Sequence, residues 1–108
     1  MKDTMKRNIL VYNNQTKIAE KMIPLCTGEG LSVLVAASVE GLYEILKSTE
    51  LHLMLVDVEL NDKGWDKGIE MIANLRRKSS IPLIVVSAQS AETAKIMALE
   101  AGGDDYVT

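Results

Sequence analysis

Four short, unbroken apolar runs punctuate the chain: Ile9 to Tyr12, Leu31 to Ala36, Leu51 to Val56 and Ile81 to Val86. They are rich in Val, Ile and Leu and continuous rather than alternating, the pattern of strands covered on both faces. Amphipathic stretches lie between them. Thr16 to Thr27 carries Ile18, Met22 and Leu25, Val39 to Lys47 carries Val39, Leu42 and Leu46, and Gly68 to Lys78 carries Met71, Ile72 and Leu75. Each set is near helical spacing, so each predicts one apolar helix face. Ser38, Asp66 and Ser90 stand where N-caps would, and Gly102-Gly103 where the last helix would stop. Pro24 falls inside the first helix and should kink or shorten it, because it removes a backbone donor. Alternating strand and helix predicts repeated βα units, hence a parallel sheet with helices on both sides.

Composition narrows this only slightly. A chain of 108 residues, 47% hydrophobic and 25% charged, fits one globular domain and argues against disorder. Twelve basic against fifteen acidic residues give a net charge of -3, the wrong sign for binding nucleic acid through bulk charge. The single cysteine, Cys26, excludes an internal disulfide and sits in a helical stripe as a small core residue would. No signal-peptide segment or run of membrane-spanning length is visible, so a cytoplasmic, reducing compartment is expected. There is no Gly-rich phosphate loop, zinc-spaced Cys/His set or Ser-His-Asp arrangement, which leaves too little for a conventional hydrolase. His52, the only histidine, lies at the amino end of its strand and is expected on the surface.

One acid breaks the pattern. "LHLMLVDVEL", residues 51 to 60, sets Asp57 into the far end of an apolar run, where a desolvated lone carboxylate costs several kcal/mol. In open parallel sheets, chemistry collects at the carboxyl ends of the strands. The run is therefore expected to carry the strand through the core and deliver Asp57 to a solvent-exposed rim. There it either does chemistry or caps the following turn.

Four segments, in order and over essentially the whole length, bear on that choice: "NILVYNN", "LMLVDVEL" with Asp57, "IPLIVVSAQ" with Ser87, and "ALEAGGDDYVT". Together they resemble the receiver domain of bacterial two-component response regulators, and the last is similar to the winged-helix transcription-factor branch. The resemblance implies a receiver domain over 1–108 with a flavodoxin-like, doubly wound parallel sheet of order 2-1-3-4-5. It implies a phosphoacceptor switch rather than a conventional enzyme, one that catalyses only its own phosphorylation and dephosphorylation. A sensor histidine kinase would transfer a phosphoryl group to Asp57. Mg²⁺ would be held by Asp57, the Glu59 carbonyl and the positions of Asn13 and Asn14. Ser87 would supply the phosphate-binding hydroxyl, and Tyr106 would be the aromatic that follows it. DNA would be contacted by an output domain rather than by this one, with no membrane association.

The chain also departs from the family. Asn13 and Asn14 stand where two acids usually bind the metal, and each lost charge is worth on the order of a few kcal/mol of attraction at an effective dielectric of ~20. Metal binding is therefore expected to be weak. Glu59, Asp62 and Asp66 are either replacements for a lost carboxylate or simply solvated loop acids. "VELNDKGWDK" is longer than usual, Asn61 replaces the usual proline, and Trp65 either meets a partner or packs over its own loop. Thr108 comes just before the family's Lys-Pro and last helix, so the final strand and helix are expected to be cut short, leaving apolar surface bare. In the fourth helix, Ala94, Met97, Ala98 and Ala101 form one stripe, and Ile96, Leu99 and Gly103 another. The resemblance puts Ile96 and Leu99 inside and turns the Met97 stripe outward, on a face used for homodimers; otherwise Met97 is a stray residue on a helix of good formers. Three readings stand: the phosphoacceptor switch, a phosphorylation-independent protein-binding module, and an unrelated flavodoxin-like enzyme or nucleotide binder, the last disfavoured by the missing Gly-rich loop.

Overall fold

The apolar runs form the parallel sheet that their continuity predicts. A computed structural model describes residues 7–13, 18–62 and 66–108, apart from the side chains of residues 13, 18, 19, 22, 23 and 27. Strands and helices alternate as β1 (Asn8–Asn13), α1 (Ile18–Gly28), β2 (Ser32–Ala36), α2 (Val39–Ser48), β3 (Leu53–Asp57), α3 (Lys67–Lys78), β4 (Leu83–Val86), α4 (Glu92–Ala101) and β5 (Asp105–Val107). The strand order is β2-β1-β3-β4-β5, parallel throughout, the flavodoxin-like doubly wound order. Sequence order reverses at β1, so the crevice beside the carboxyl ends of β1 and β3 is where this topology places ligands.

The main core lies between the sheet and α2, α3 and α4. Leu10, Met54, Val56, Leu83 and Val85 from the strands meet Leu42, Ile69, Ile72 and Leu75 from the helices. A smaller cluster on the other face joins Ile9, Val11 and Leu55 to Cys26 of α1, which is buried as expected. Leu25, placed on the inner face of the first helix by its spacing, is 70% exposed instead. Helix α1 runs through Pro24 without ending, so the position of the proline within the helix did not shorten it to a fragment.

Caps divide in the same way. Ser38 accepts from the Gly41 amide at 3.0 Å and Asp66 from the Ile69 amide at 2.9 Å, as the sequence suggested. Ser90 is not a cap: Ala91 holds that place in α4 and makes no side-chain cap bond. Gly102 ends α4 with φ of 133°, a conformation that favours glycine.

Helix α4 is turned opposite to expectation. Ala94 and Ala98 are fully buried and Met97 packs on the core, whereas Ile96 is 49% and Leu99 37% exposed. Just past the helix, Gly103 lies against β4, where a Cβ would be 2.9 Å from a Val85 methyl.

The amino-terminal rim is tied together by Arg76. Its guanidinium donates to the carbonyls of Gly102, Ser79 and Ile81 and pairs with Asp104 at 2.6 Å, while Asp104 also accepts from the Leu83 amide. His52 is at this rim too, but half-buried rather than on the surface. Its Nδ1 accepts from the Asn8 amide at 3.0 Å, a structural role for the lone histidine.

Candidate functional site

Strand register sets the site. Asn13 of β1 lies opposite Asp57 of β3, Asp57 opposite Val86 of β4, and Val86 opposite Val107 of β5. This row closes the carboxyl end of the sheet, and Ser87 follows Val86 directly. The Val58 amide donates to the Val86 carbonyl at 3.0 Å, carrying the β3–β4 contact one residue beyond the acid.

Asp57 is fully buried, which corrects the expectation of a carboxylate on an open rim. Burial does not stop at the acid: Val58 and Leu60 beyond it are also buried. Ser87 is buried beside the same row. Its Oγ accepts from the Gln89 amide at 3.1 Å and its own amide donates to the Val107 carbonyl. An accepting hydroxyl keeps its own proton to donate elsewhere.

Tyr106, 8% exposed, donates its hydroxyl to the Gln89 carbonyl. The Gln89 side chain in turn accepts from the Ala91 amide at 2.9 Å, organising the entry to a helix that has no side-chain cap of its own. Ser87, Gln89 and Tyr106 are thus one connected unit across the β4–α4 loop. Gln89 was missed in reading the sequence. Its signal was "SAQS" just before a helix: a serine two residues ahead of an amide side chain favours a local side-chain-to-backbone turn.

The loop after β3 forms the facing wall. A cavity of about 260 Å³ opens between Val58, Glu59 and Leu60 on one side and Ser87, Ala88 and Gln89 on the other. Glu59 is exposed at its mouth. Its carbonyl would be 2.8 Å from a Cβ at residue 68, so the glycine there permits the loop to fold against α3. Asp62 is exposed, and its carbonyl accepts weakly from the Thr93 hydroxyl at 3.4 Å. Asp66 holds the Ile69 amide with one oxygen and the Asn61 amide, at 2.7 Å, with the other. It serves as a cap and a loop clasp. Asn14 and Trp65 lie outside the described residues, and Asn13 is described through its backbone alone.

Among the described residues, no three His, Cys, Asp or Glu side chains cluster to hold a metal ion. The oxygen donors around Asp57, namely its carboxylate and the Glu59 carbonyl with an amide residue opposite in register, suit a hard divalent cation. They provide only one charge in the row, so the fit is chemically right and electrostatically thin.

The sequence profile of the response regulator receiver domain matches residues 9–108. The chain belongs to the response regulator receiver family. Receiver domains of this family are phosphoacceptor switches in two-component signalling, not classical enzymes, and bind Mg²⁺ or Ca²⁺ at an acidic pocket. This receiver is 33% identical over 104 residues to the TorCAD operon transcriptional regulatory protein TorR of Escherichia coli, covering 96% of the chain and 44% of that protein. It is 36% identical over 102 residues to the KDP operon transcriptional regulatory protein KdpE of the same species, covering 94% of the chain and 44% of that protein. The receiver thus spans less than half the length of these relatives. The crystal structure of the TorR receiver domain matches with a TM-score of 0.80 and 32% identity, covering 94% of this chain and 82% of that one. A Burkholderia pseudomallei response regulator, solved with a phosphorylated aspartic acid, a calcium ion and citrate, shares the fold at a TM-score of 0.77 and 20% identity, over 94% of this chain and 58% of that one. No helix among the described residues is long and apolar enough to cross a membrane.

Proposed function

We propose that this receiver accepts a phosphoryl group on Asp57 from the phosphohistidine of a sensor kinase and relays that event through the Ser87–Gln89–Tyr106 unit. The observation that carries the reading is the register, which sets Asp57 at the carboxyl end of β3 directly beside the strand that leads into Ser87.

A carboxylate oxygen of Asp57 attacks phosphorus, forming the acyl phosphate as the histidine nitrogen–phosphorus bond breaks and its electron pair leaves with the imidazole. Burial of Asp57 keeps water from competing for the phosphoryl group once transferred. Ser87 donates its hydroxyl proton to a phosphoryl oxygen, a bond that exists only after transfer. Because the same Oγ holds the Gln89 amide, and Gln89 holds Tyr106, the new bond strains a connected loop and shifts the entry to α4. A bound divalent cation would neutralise phosphoryl charge, held by Asp57, the Glu59 carbonyl and the Asn13 and Asn14 amides. With amides in place of acids, Mg²⁺ binds weakly and is needed at higher concentration.

On this reading the partners are a sensor histidine kinase and a DNA-binding output domain, in the cytoplasm, with homodimers forming through the α4 face. The dimer-facing side chains are then Ile96 and Leu99, not Met97 and its alanines. A phosphorylation-independent binding module is not favoured, since Asp57 and Ser87 remain together on the reactive rim. The test is intact mass measurement after incubation with a small phosphodonor and Mg²⁺. One added phosphoryl group, absent in Asp57→Asn, is expected; no gain at any metal concentration would overturn the proposal.

A further inference from the structure

Away from the phosphoacceptor, a groove runs between α2 and α3. Helix α2 packs on β2 and α3 packs on α4, and the two make little contact with each other. The groove they leave measures about 640 Å³ and is lined by Tyr43, Leu46 and Lys47 of α2 and by Asn74 and Lys78 of α3. That is about four times the ~150 Å³ of a cavity that holds benzene, so it has room for the aliphatic side chains of a docked helix. Tyr43 and Leu46 are half-buried: they pack on the core and also wall the groove.

One end of this groove is basic. Helices α2 and α3 run the same way, because each returns from the carboxyl end of one parallel strand to the amino end of the next. Lys47 and Lys78 stand in their last turns, where the dipole is negative. That placement suits the lysines but does not use up their charge. Among the described residues neither is ion-paired, in a chain of net charge -3. Lys78 Nζ lies 5.5 Å from the centroid of the Tyr43 ring, bridging the two helices. A ring face takes none of the ammonium donors as a conventional hydrogen bond, so a carboxylate can still join it. The acids of this region are elsewhere: Glu40 and Glu70 are in the first turns, and Glu44 and Glu50 do not line the groove.

These features define the chemistry of an occupant. A helix antiparallel to α2 and α3 opposes their dipoles and brings its own first turn to the lysines, so that turn should be acidic, with aliphatic residues one and two turns later. Helix α4 of the same chain meets each condition. Its first turn holds Glu92, and Ile96 and Leu99 follow on the same face, both exposed. Its last turn holds no basic residue, and Lys95 and Glu100 flank the stripe with opposite charges.

We propose that α4 of a second copy of this chain docks in the α2–α3 groove, with Ile96 and Leu99 against Tyr43 and Leu46 and the Glu92 carboxylate between Lys47 and Lys78. The inference rests on the reading that copies associate through α4, and it names the surface that receives that helix. The contact is heterologous: each copy offers one helix and one groove, so a pair leaves one of each free and the assembly can extend. Because the Ser87–Gln89–Tyr106 unit sets the entry to α4, a phosphoryl group on Asp57 would act on assembly through the same helix.

The test is analytical ultracentrifugation of two variants, alone and mixed. Ile96→Lys spoils the helix and leaves the groove; Lys47→Glu with Lys78→Glu spoils the groove and leaves the helix. All three side chains are exposed, so the fold should persist. Each variant alone should self-associate at least about tenfold more weakly than the unmodified chain, through loss of an apolar anchor or of both charge partners. Mixed in equal amounts, they should form a one-to-one pair that grows no further, since only one intact helix and one intact groove remain to meet. Glu92→Lys added to the groove variant should restore self-association. Asp57→Asn should assemble as the unmodified chain does, so failure of phosphorylation would leave these results untouched. Full self-association of the groove variant, with no gain on mixing, would mean that α4 meets α4; it would overturn the groove and spare the reading of α4. A chain that stays monomeric at millimolar concentration, or variants that fail to pair on mixing, would also overturn the proposal.

Discussion

Two aspartates at opposite ends of the sheet have opposite fates. Asp104, at the amino-terminal rim, has a side chain 58% exposed, and one of its oxygens meets both the Arg76 guanidinium and the Leu83 amide. Asp57, at the carboxyl-terminal rim, is completely buried, at the end of an apolar run and next in register to an asparagine. The exposed acid has a cation to hold it and serves architecture. The buried acid lies where the topology collects chemistry, in a row whose other positions are valines and an amide. One acid is held as a latch at an exposed rim; the other lies buried in the row where an arriving phosphoryl group and cation would be received.

The sharpest break in this comparison is Arg76→Ala. It removes three carbonyl contacts and one ion pair, and should lower stability by about 2–3 kcal/mol in urea denaturation, since partly exposed charged bonds are worth less than buried ones. Phosphoryl uptake by the folded fraction should persist. A smaller net effect, about 2 kcal/mol or some tens of fold in Mg²⁺ affinity, is expected from Asn13→Asp combined with Asn14→Asp, because the attraction each restored charge gives the cation is largely offset by mutual repulsion among the carboxylates. Calorimetric titration reads this directly, and unchanged affinity would remove those two positions from the metal site. The smallest effect belongs to Asp66→Ala, which should cost about 1–2 kcal/mol through loss of the α3 cap and the Asn61 clasp. It should not change Mg²⁺ affinity; a drop would make Asp66 a ligand after all.

Much of the architecture was legible because strand burial in a parallel sheet writes itself as continuous apolar runs. The four runs, three of the helices and the Ser38 and Asp66 caps follow from local chemistry that the tertiary structure does not override. Two kinds of feature were not legible. The orientation of α4 is one: Ala94 and Ala98 face the core and Ile96 and Leu99 face outward, which neither helical stripe records. Both stripes carry apolar residues, so periodicity alone does not choose between Ala98 and Ile96. The burial of Asp57 is another, since Val58 and Leu60 beyond it are buried as well and the apolar run alone does not show where the core ends. For the site, the types of Asp57, Ser87 and Tyr106 could be picked out by resemblance, but the linking role of Gln89 appears only once its carbonyl is seen beneath the Tyr106 hydroxyl. Leu25 shows the reverse error, a residue in apolar register that nothing covers among the described residues.

The most direct measurement is chemical trapping of the acyl phosphate. After exposure to phosphodonor and Mg²⁺, borohydride reduces an aspartyl phosphate to homoserine, and peptide mass spectrometry reads the position. Conversion at Asp57 alone, lost when the donor is omitted, is the predicted result. Conversion at Asp62, Asp66 or Asp104 with Asp57 intact would contradict the account.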